Sequence, residues 1–148
     1  MASKRILKHK MTKFFLLAVV VTLVLSTVLY SCASGIYKEA NVQQLPPKLY
    51  LEQLAQEEEA YLLDIRTGLE YKRNHLDSAK NINYLSFSFS KKVSQLDTTK
   101  PVFIYCETAH RSPMVARKLW KKGFTKIIDL QGGHRAMRKY QQSQDDKD

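Results

Sequence analysis

The stretch Pro101-Val102-Phe103-Ile104-Tyr105-Cys106-Glu107-Thr108-Ala109-His110-Arg111-Ser112-Pro113 decides the fold. Its first five residues form an apolar run with β-branched and aromatic members, which reads as a buried strand. Ser112-Pro113 reads as a helix start, with the hydroxyl as cap and the proline in the first turn. The spacing predicts a helix through Lys122 that buries Val115, Ala116, Leu119 and Trp120. It stops at Gly123, with Lys121 and Lys122 at the negative end of its dipole.

The flanking chain repeats the alternation. Pro47 is placed to open a helix in which Leu49, Leu51, Leu54 and Ala55 recur at helical spacing. Residues 61–64, YLLD, form a short strand. Thr67 is placed to cap a brief helix through Lys72, with Glu70 in the capping-box position. A further strand lies near 81–84, and the Phe/Ser alternation of 86–90 fits a strand by period. Residues 126–130, KIIDL, are another strand. Gly132-Gly133 turns into a final basic helix that frays into QQSQDDKD. Strands alternating with helices imply an α/β domain with a mainly parallel sheet.

In an open α/β sheet, chemistry sits at the carboxyl ends of the strands, and Cys106 occupies that place. The helix beginning just after it offers unpaired N–H groups and a partial positive charge, which favour an anion such as a thiolate. Arg111 adds a full positive charge. A buried structural thiol is the alternative, but the polar or small residues that follow Cys106 are not what a core requires. Asp64 and Arg66 end a strand beside the same cleft and read as an ion-paired framework. Arg111 serves both that framework and the electrostatics of the thiol. His110 either faces solvent from the loop or helps hold the thiolate. His75 and His134 read as structural or surface groups, and with His9 they form no zinc-ligand spacing. Trp120 and Phe124 read as core or cap contacts.

The N-terminal residues read differently. MASKRILKHKMTK carries five basic residues and no acid, and residues 14–30 are uncharged, without Gly or Pro. That layout is a secretory signal or membrane anchor, excluded from the fold. Leu29-Tyr30-Ser31-Cys32 resembles the lipobox of bacterial lipoproteins, with Cys32 as the lipidated residue. An uncleaved signal anchor is the alternative. Either reading sends the rest of the chain across the membrane, giving an extracytoplasmic, membrane-anchored domain of a bacterial cell envelope, on the periplasmic side in a Gram-negative host. Lacking aspartate after Cys32, such a lipoprotein is expected at the outer membrane. The domain boundaries expected are residues 1–31 signal or anchor, 32–44 tether, 45–140 domain and 141–148 polar tail. With Cys32 lipidated, Cys106 is the only free thiol and no disulfide within the chain is possible. The formal charge is +10, from 24 basic and 14 acidic residues. The leader's five basic residues leave 19 against 14, or +5, spread and mixed with acids, so no nucleic-acid module is indicated.

Two blocks carry a family resemblance. LLDIRTGLEYKRNHLDSAKNINY, with Asp64-x-Arg66, Glu70-Tyr71, His75, Ala79 and Asn81, resembles the first half of a rhodanese domain. VFIYCETAHRSPMVARKLWKKGFTKIIDLQGG resembles the second half, with Cys106, four residues, Arg111-Ser112, Gly123-Phe124 and Gly132-Gly133. The resemblance implies a small, mostly parallel five-stranded sheet flanked by helices on both faces. It also makes 86–90 a helix start. It implies Cys106 as the nucleophile that takes sulfur from thiosulfate or a persulfide, becomes a persulfide, and passes the sulfur to a thiophilic acceptor. The partners implied are a small sulfur donor and a protein persulfide or thiol acceptor. No metal or organic cofactor is needed. The loop Glu107, Thr108, Ala109, His110, Arg111 and Ser112 would cradle the charged sulfur.

This sequence departs from the family pattern at three positions. Ala109 stands where the loop has its usual glycine, which matters if that residue needs a positive φ. Asn74 replaces another usual glycine. Glu107 follows the nucleophile where thiosulfate-using members frequently have a basic residue. A carboxylate about 6 Å from a thiolate opposes it by about 0.7 kcal/mol in water and about 2.8 kcal/mol at an effective dielectric of 20. Glu107 is therefore expected to repel a doubly charged donor, and Glu107→Arg to improve the use of thiosulfate. A rhodanese-like binding or redox-sensing module with a thiol that is not turned over is the alternative. A phosphatase or arsenate reductase of related architecture would place five residues between cysteine and arginine, and here only four intervene.

Overall fold

A computed structural model describes residues 18–24, 26 and 42–146. The chain divides into one unit within residues 1–35 and another within 36–148. In the first, residues 18–24 and 26 are helical. Among the described residues no helix is long and apolar enough to cross a membrane. Cys32, most of the expected leader and the tether up to residue 41 lie outside the described residues.

The second unit orders its elements as β1 (Val42–Leu45), α1 (Pro47–Ala55), β2 (Tyr61–Asp64), α2 (Gly68–Arg73), β3 (Lys80–Asn81), α3 (Phe89–Val93), β4 (Val102–Tyr105), α4 (Ser112–Lys121), β5 (Ile127–Leu130) and α5 (Gly133–Asp145). The five strands make one sheet in the order β1-β5-β4-β2-β3, and every pairing is parallel. Such a sheet is covered on both faces, and the period-2 alternation of each strand divides its side chains between two cores. Val102, Ile104 and Ile127 pack with Phe89, Val93, Val115, Ala116 and Leu119 of α3 and α4. Phe103, Tyr105, Ile128 and Leu130 pack on the other face with Tyr50 of α1 and Met137 of α5. Cys106 continues the alternation and falls on the α3/α4 side.

Five sequence expectations change. Val42–Leu45, inside the stretch read as a tether, is an edge strand paired with β5. Its two apolar residues stand three apart and so face opposite cores, while Gln43 and Gln44 are exposed. Strand β3 is only Lys80–Asn81, and the Asn81 side chain donates to the carbonyls of Asp64 and Arg66 at 3.0 and 2.9 Å. The 86–90 segment does not follow its strand-like period; as the resemblance implies, it turns and enters α3, burying Phe89 and Val93 four residues apart. Trp120 is exposed, since at 100° per residue it stands roughly 90° around α4 from the centre of the buried stripe of Val115, Ala116 and Leu119. The residues expected to fray as a polar tail continue α5 to Asp145.

Candidate active site

Cys106 leaves the carboxyl end of the central strand β4, and the loop from Glu107 to Arg111 carries the chain to the first residue of α4. Its thiol is 1% exposed and lies 3.8 Å from the Ser112 hydroxyl, to which it donates. Ser112 is itself the first helical residue, and no side chain caps α4. The expected cap is therefore corrected: the Ser112 hydroxyl faces the sulfur instead of the helix amides. The unpaired N–H groups of a ten-residue helix thus open beside the thiol, the arrangement that stabilises an anion.

Two braces hold the loop. On one side Arg111 binds Glu70 through both terminal nitrogens, at 2.7 and 3.2 Å. Glu70 is also the third residue of α2, where it completes a capping box with Thr67. Arg111, opposed by burial and helped by Thr67, holds the Glu70 carboxyl down to about 2. On the other side Glu107 accepts from Arg66 at 2.9 Å and from Arg138 at 2.8 Å. Burial alone would raise the Glu107 carboxyl, but the two guanidinium groups outweigh it and hold it below the usual carboxylate range. The expected field of Glu107 on the thiol is corrected accordingly. Its charge is matched by two cations, so it does not stand as a free repulsive charge against an anionic donor.

Asp64 and Arg66 do pair. The Arg66 Nε and Nη2 atoms donate to Asp64 at 2.7 to 3.1 Å, and Nη2 also reaches the Asn74 carbonyl at 2.6 Å. Both residues are buried, so the pair is a framework joining β2, α2 and the cysteine loop.

His134 and Arg138 complete this framework, and the sequence reading placed neither of them there. His134 is buried and stacks on Tyr105 with ring centroids 5.7 Å apart. Its Nδ1 lies 2.9 Å from Arg66 Nη1 and 2.6 Å from Arg138 Nη1. Both neighbours are donors, so Nδ1 accepts and the ring proton sits on Nε2. Burial, then the charges of Arg66 and Arg138, lower the His134 pKa to about 4, against the opposing pull of Glu107. The available signal was the spacing of His134 and Arg138, four apart on one helix directly after Gly132-Gly133.

The amino end of α5 closes on the same loop. His134 N–H donates to the Cys106 carbonyl at 2.8 Å, and Arg135 N–H to the Glu107 carbonyl at 3.0 Å. The cysteine loop thereby satisfies donors that a helix start would otherwise leave unpaired. Gly133 permits the approach: a Cβ there would stand 2.6 Å from the Cys106 carbonyl oxygen, and φ is +64°. Ala109, by contrast, holds φ +62° with a side chain present. His110 is exposed, with Nδ1 2.8 Å from the Thr108 hydroxyl. His75 stacks on Tyr71 away from the thiol loop's polar contacts.

A family model described as Rhodanese-like domain matches residues 47–139. The chain belongs to this family. It is 32% identical over 106 residues to the Bacillus subtilis protein YqhL, covering 72% of this chain and 80% of that one. It is 27% identical over 100 residues to the thiosulfate sulfurtransferase GlpE of Shewanella oneidensis, covering 68% and 91% respectively. Among solved structures, the polysulfide-sulfur transferase homodimer of Wolinella succinogenes superposes with a TM-score of 0.64 at 21% identity, over 78% of this chain and 85% of that one. The last likeness is one of fold. This rhodanese-like domain thus has sulfurtransferase-type relatives at low identity.

Proposed function

We propose that this chain is a sulfurtransferase or persulfide carrier in which Cys106 is the nucleophile. The observation that carries the reading is the seat of the thiol, at the end of β4 and 3.8 Å from the hydroxyl of the first residue of α4. The Cys106 thiolate attacks the outer sulfur of the donor. With thiosulfate, the S–S bond to the sulfonate breaks, its electron pair leaves with sulfite, and Cys106 becomes a persulfide. Attack by an acceptor thiolate on the outer persulfide sulfur then forms the product persulfide and returns the Cys106 thiolate. The positive end of α4 stabilises the charged sulfur, and the two loop braces hold the cradle in shape. The pairing of Glu107 with Arg66 and Arg138 removes the electrostatic objection to thiosulfate. The name of the Shewanella relative points the same way.

The proposal includes placement. The basic start, the apolar run of residues 14–30 and Cys32 support a domain held outside the cytoplasm by a lipidated Cys32 or an uncleaved anchor. A second reading, a binding or redox-sensing module, draws support from the burial of the thiol.

One preparation tests both parts. The reduced full chain is exposed separately to thiosulfate and to a small persulfide, and its intact mass is measured. A gain of one sulfur that disappears in Cys106→Ser supports the carrier; no gain from either donor, with the thiol still alkylatable, moves the reading to the module. Flotation of the chain expressed in a bacterium, with and without Cys32→Ala, tests the anchor. Unchanged flotation in the variant would leave the uncleaved segment as the anchor, and no flotation of the parent chain would remove both.

A further inference from the structure

The segments that follow β2, β3 and β4 carry large apolar side chains that the domain does not cover. Leu69 is 73% exposed, Leu85 65% and Phe87 109%, and Met114 is exposed as well. Chain neighbours of these residues reach the cysteine loop and the start of α4. Glu70, beside Leu69, binds Arg111. The Tyr84 hydroxyl lies 3.7 Å from Met114 Sδ. Ser112, two residues before Met114, makes the 3.8 Å contact with the thiol. Single exposed apolar residues are ordinary, whereas several around one site mark an interaction surface.

Glu70 and Glu107 at this rim are paired with arginines, and Lys126 is paired with Glu57, but two of its segments carry charge of one sign. Residues 78–96 hold three lysines and residues 108–128 hold six lysines and arginines, with no aspartate or glutamate in either segment. Lys91, Lys92, Arg117 and Lys118 are exposed among them. Lys118 sits over the Tyr84 ring at 4.7 Å and the Phe89 ring at 5.5 Å, which fixes a positive charge beside the apolar group. A small thiol has no use for such a rim. A bilayer would meet it as a flat surface, but the sulfur lies buried within the rim, so what reaches it must be a protruding segment.

Resting on the carrier reading above, we propose that the acceptor is a thiol on an acidic polypeptide segment. Apolar side chains of that segment seat against Leu85, Phe87 and Met114. The acceptor thiolate attacks the outer sulfur of the Cys106 persulfide and a new S–S bond forms. The bond to Cys106 Sγ breaks and its electron pair stays on Sγ. Opposite charge speeds the encounter and the apolar contacts lengthen it.

The test uses the full chain loaded with one sulfur on Cys106, with loading verified by mass. Transfer is timed to free cysteine and to three cysteine peptides: one acidic with flanking leucines, one with lysines in place of the acids, and one acidic with serines in place of the leucines. Each rate is divided by that peptide's rate with a small persulfide in solution. The acidic leucine peptide is expected to react about 10-fold faster than the lysine peptide at low salt, and the gap to close as salt rises. The triple variant Phe87→Ser, Lys91→Glu, Lys92→Glu should lose that preference and keep its rate with free cysteine. Equal rates for all three peptides would overturn the proposal. So would a shift in the emission of Trp120, the only tryptophan, on adding phosphatidylglycerol vesicles while the peptides stay equivalent, which would assign the face to a bilayer. If Cys106 never loads, the carrier reading fails by itself. Anisotropy of the labelled acidic peptide with the unloaded chain still tests the surface, and no binding there would overturn it.

Discussion

Ala109 holds a conformation that alanine resists. Its φ of +62° places the Cβ against the backbone at a cost of about 1 to 2 kcal/mol, which the surrounding loop contacts must hold in place. Ala109→Gly is expected to raise stability by about 1 kcal/mol, the relief being offset in part by a freer unfolded chain. Urea unfolding would show it, and a lower midpoint would mean that the alanine is relaxed. Glu107 carries the opposite lesson. In Glu107→Arg a third guanidinium would face Arg66 and Arg138, so the variant is expected to lose about 1 to 3 kcal/mol and to use thiosulfate no better. A stable variant with faster thiosulfate turnover would refute that. Cys106, Arg111 and the Asp64–Arg66 pair were legible from local spacing. The state of Glu107 was not, because its partners stand 41 and 31 residues away in sequence.

At the scale of elements, the contact between α5 and the cysteine loop joins stability to the site. Gly133→Ala forces a Cβ to within 2.6 Å of the Cys106 carbonyl at a positive φ, so either the helix or the loop must move. The expected loss is about 2 kcal/mol or more, with an altered rate of Cys106 alkylation. A parental midpoint and alkylation rate would show that the contact is dispensable. Elements that bury a whole face announced themselves in sequence. All four residues of β4 are buried, and α4 keeps a clear stripe. Strand β1 did not, because an edge strand with two glutamines outward lacks both alternation and a continuous apolar run. The continuation of α5 past residue 141 was equally silent, since an exposed polar helix tail has no apolar periodicity to read.

For the whole molecule, buried His134 and part-exposed Glu70 shape the response to acid. The pKa of His134 falls from 6.5 to about 4 on folding, so the unfolded chain takes up a proton first as pH drops. Stability from this residue is complete above about 6.5 and declines toward 4, by about 3 kcal/mol in all. Glu70, held at about 2, contributes stability that is present above its ordinary value of 4.5 and is lost as pH falls through 2. Urea midpoints should therefore fall in two stages, and His134→Gln should flatten the first while leaving the second. An unchanged first stage in that variant would assign it elsewhere. The sheet order has a further consequence for assembly. Residues Tyr61 and Val102 of the inner pair are near neighbours in sequence compared with Gln44 and Asp129, which meet across β1 and β5 at a separation of 85 residues. Among the described strands, the earliest in the chain is thus the last whose partner is synthesised. A nascent chain cannot complete the pairing of β1 until Leu130 has emerged, and one that halts earlier keeps β1 as an unpaired edge, free to recruit another copy.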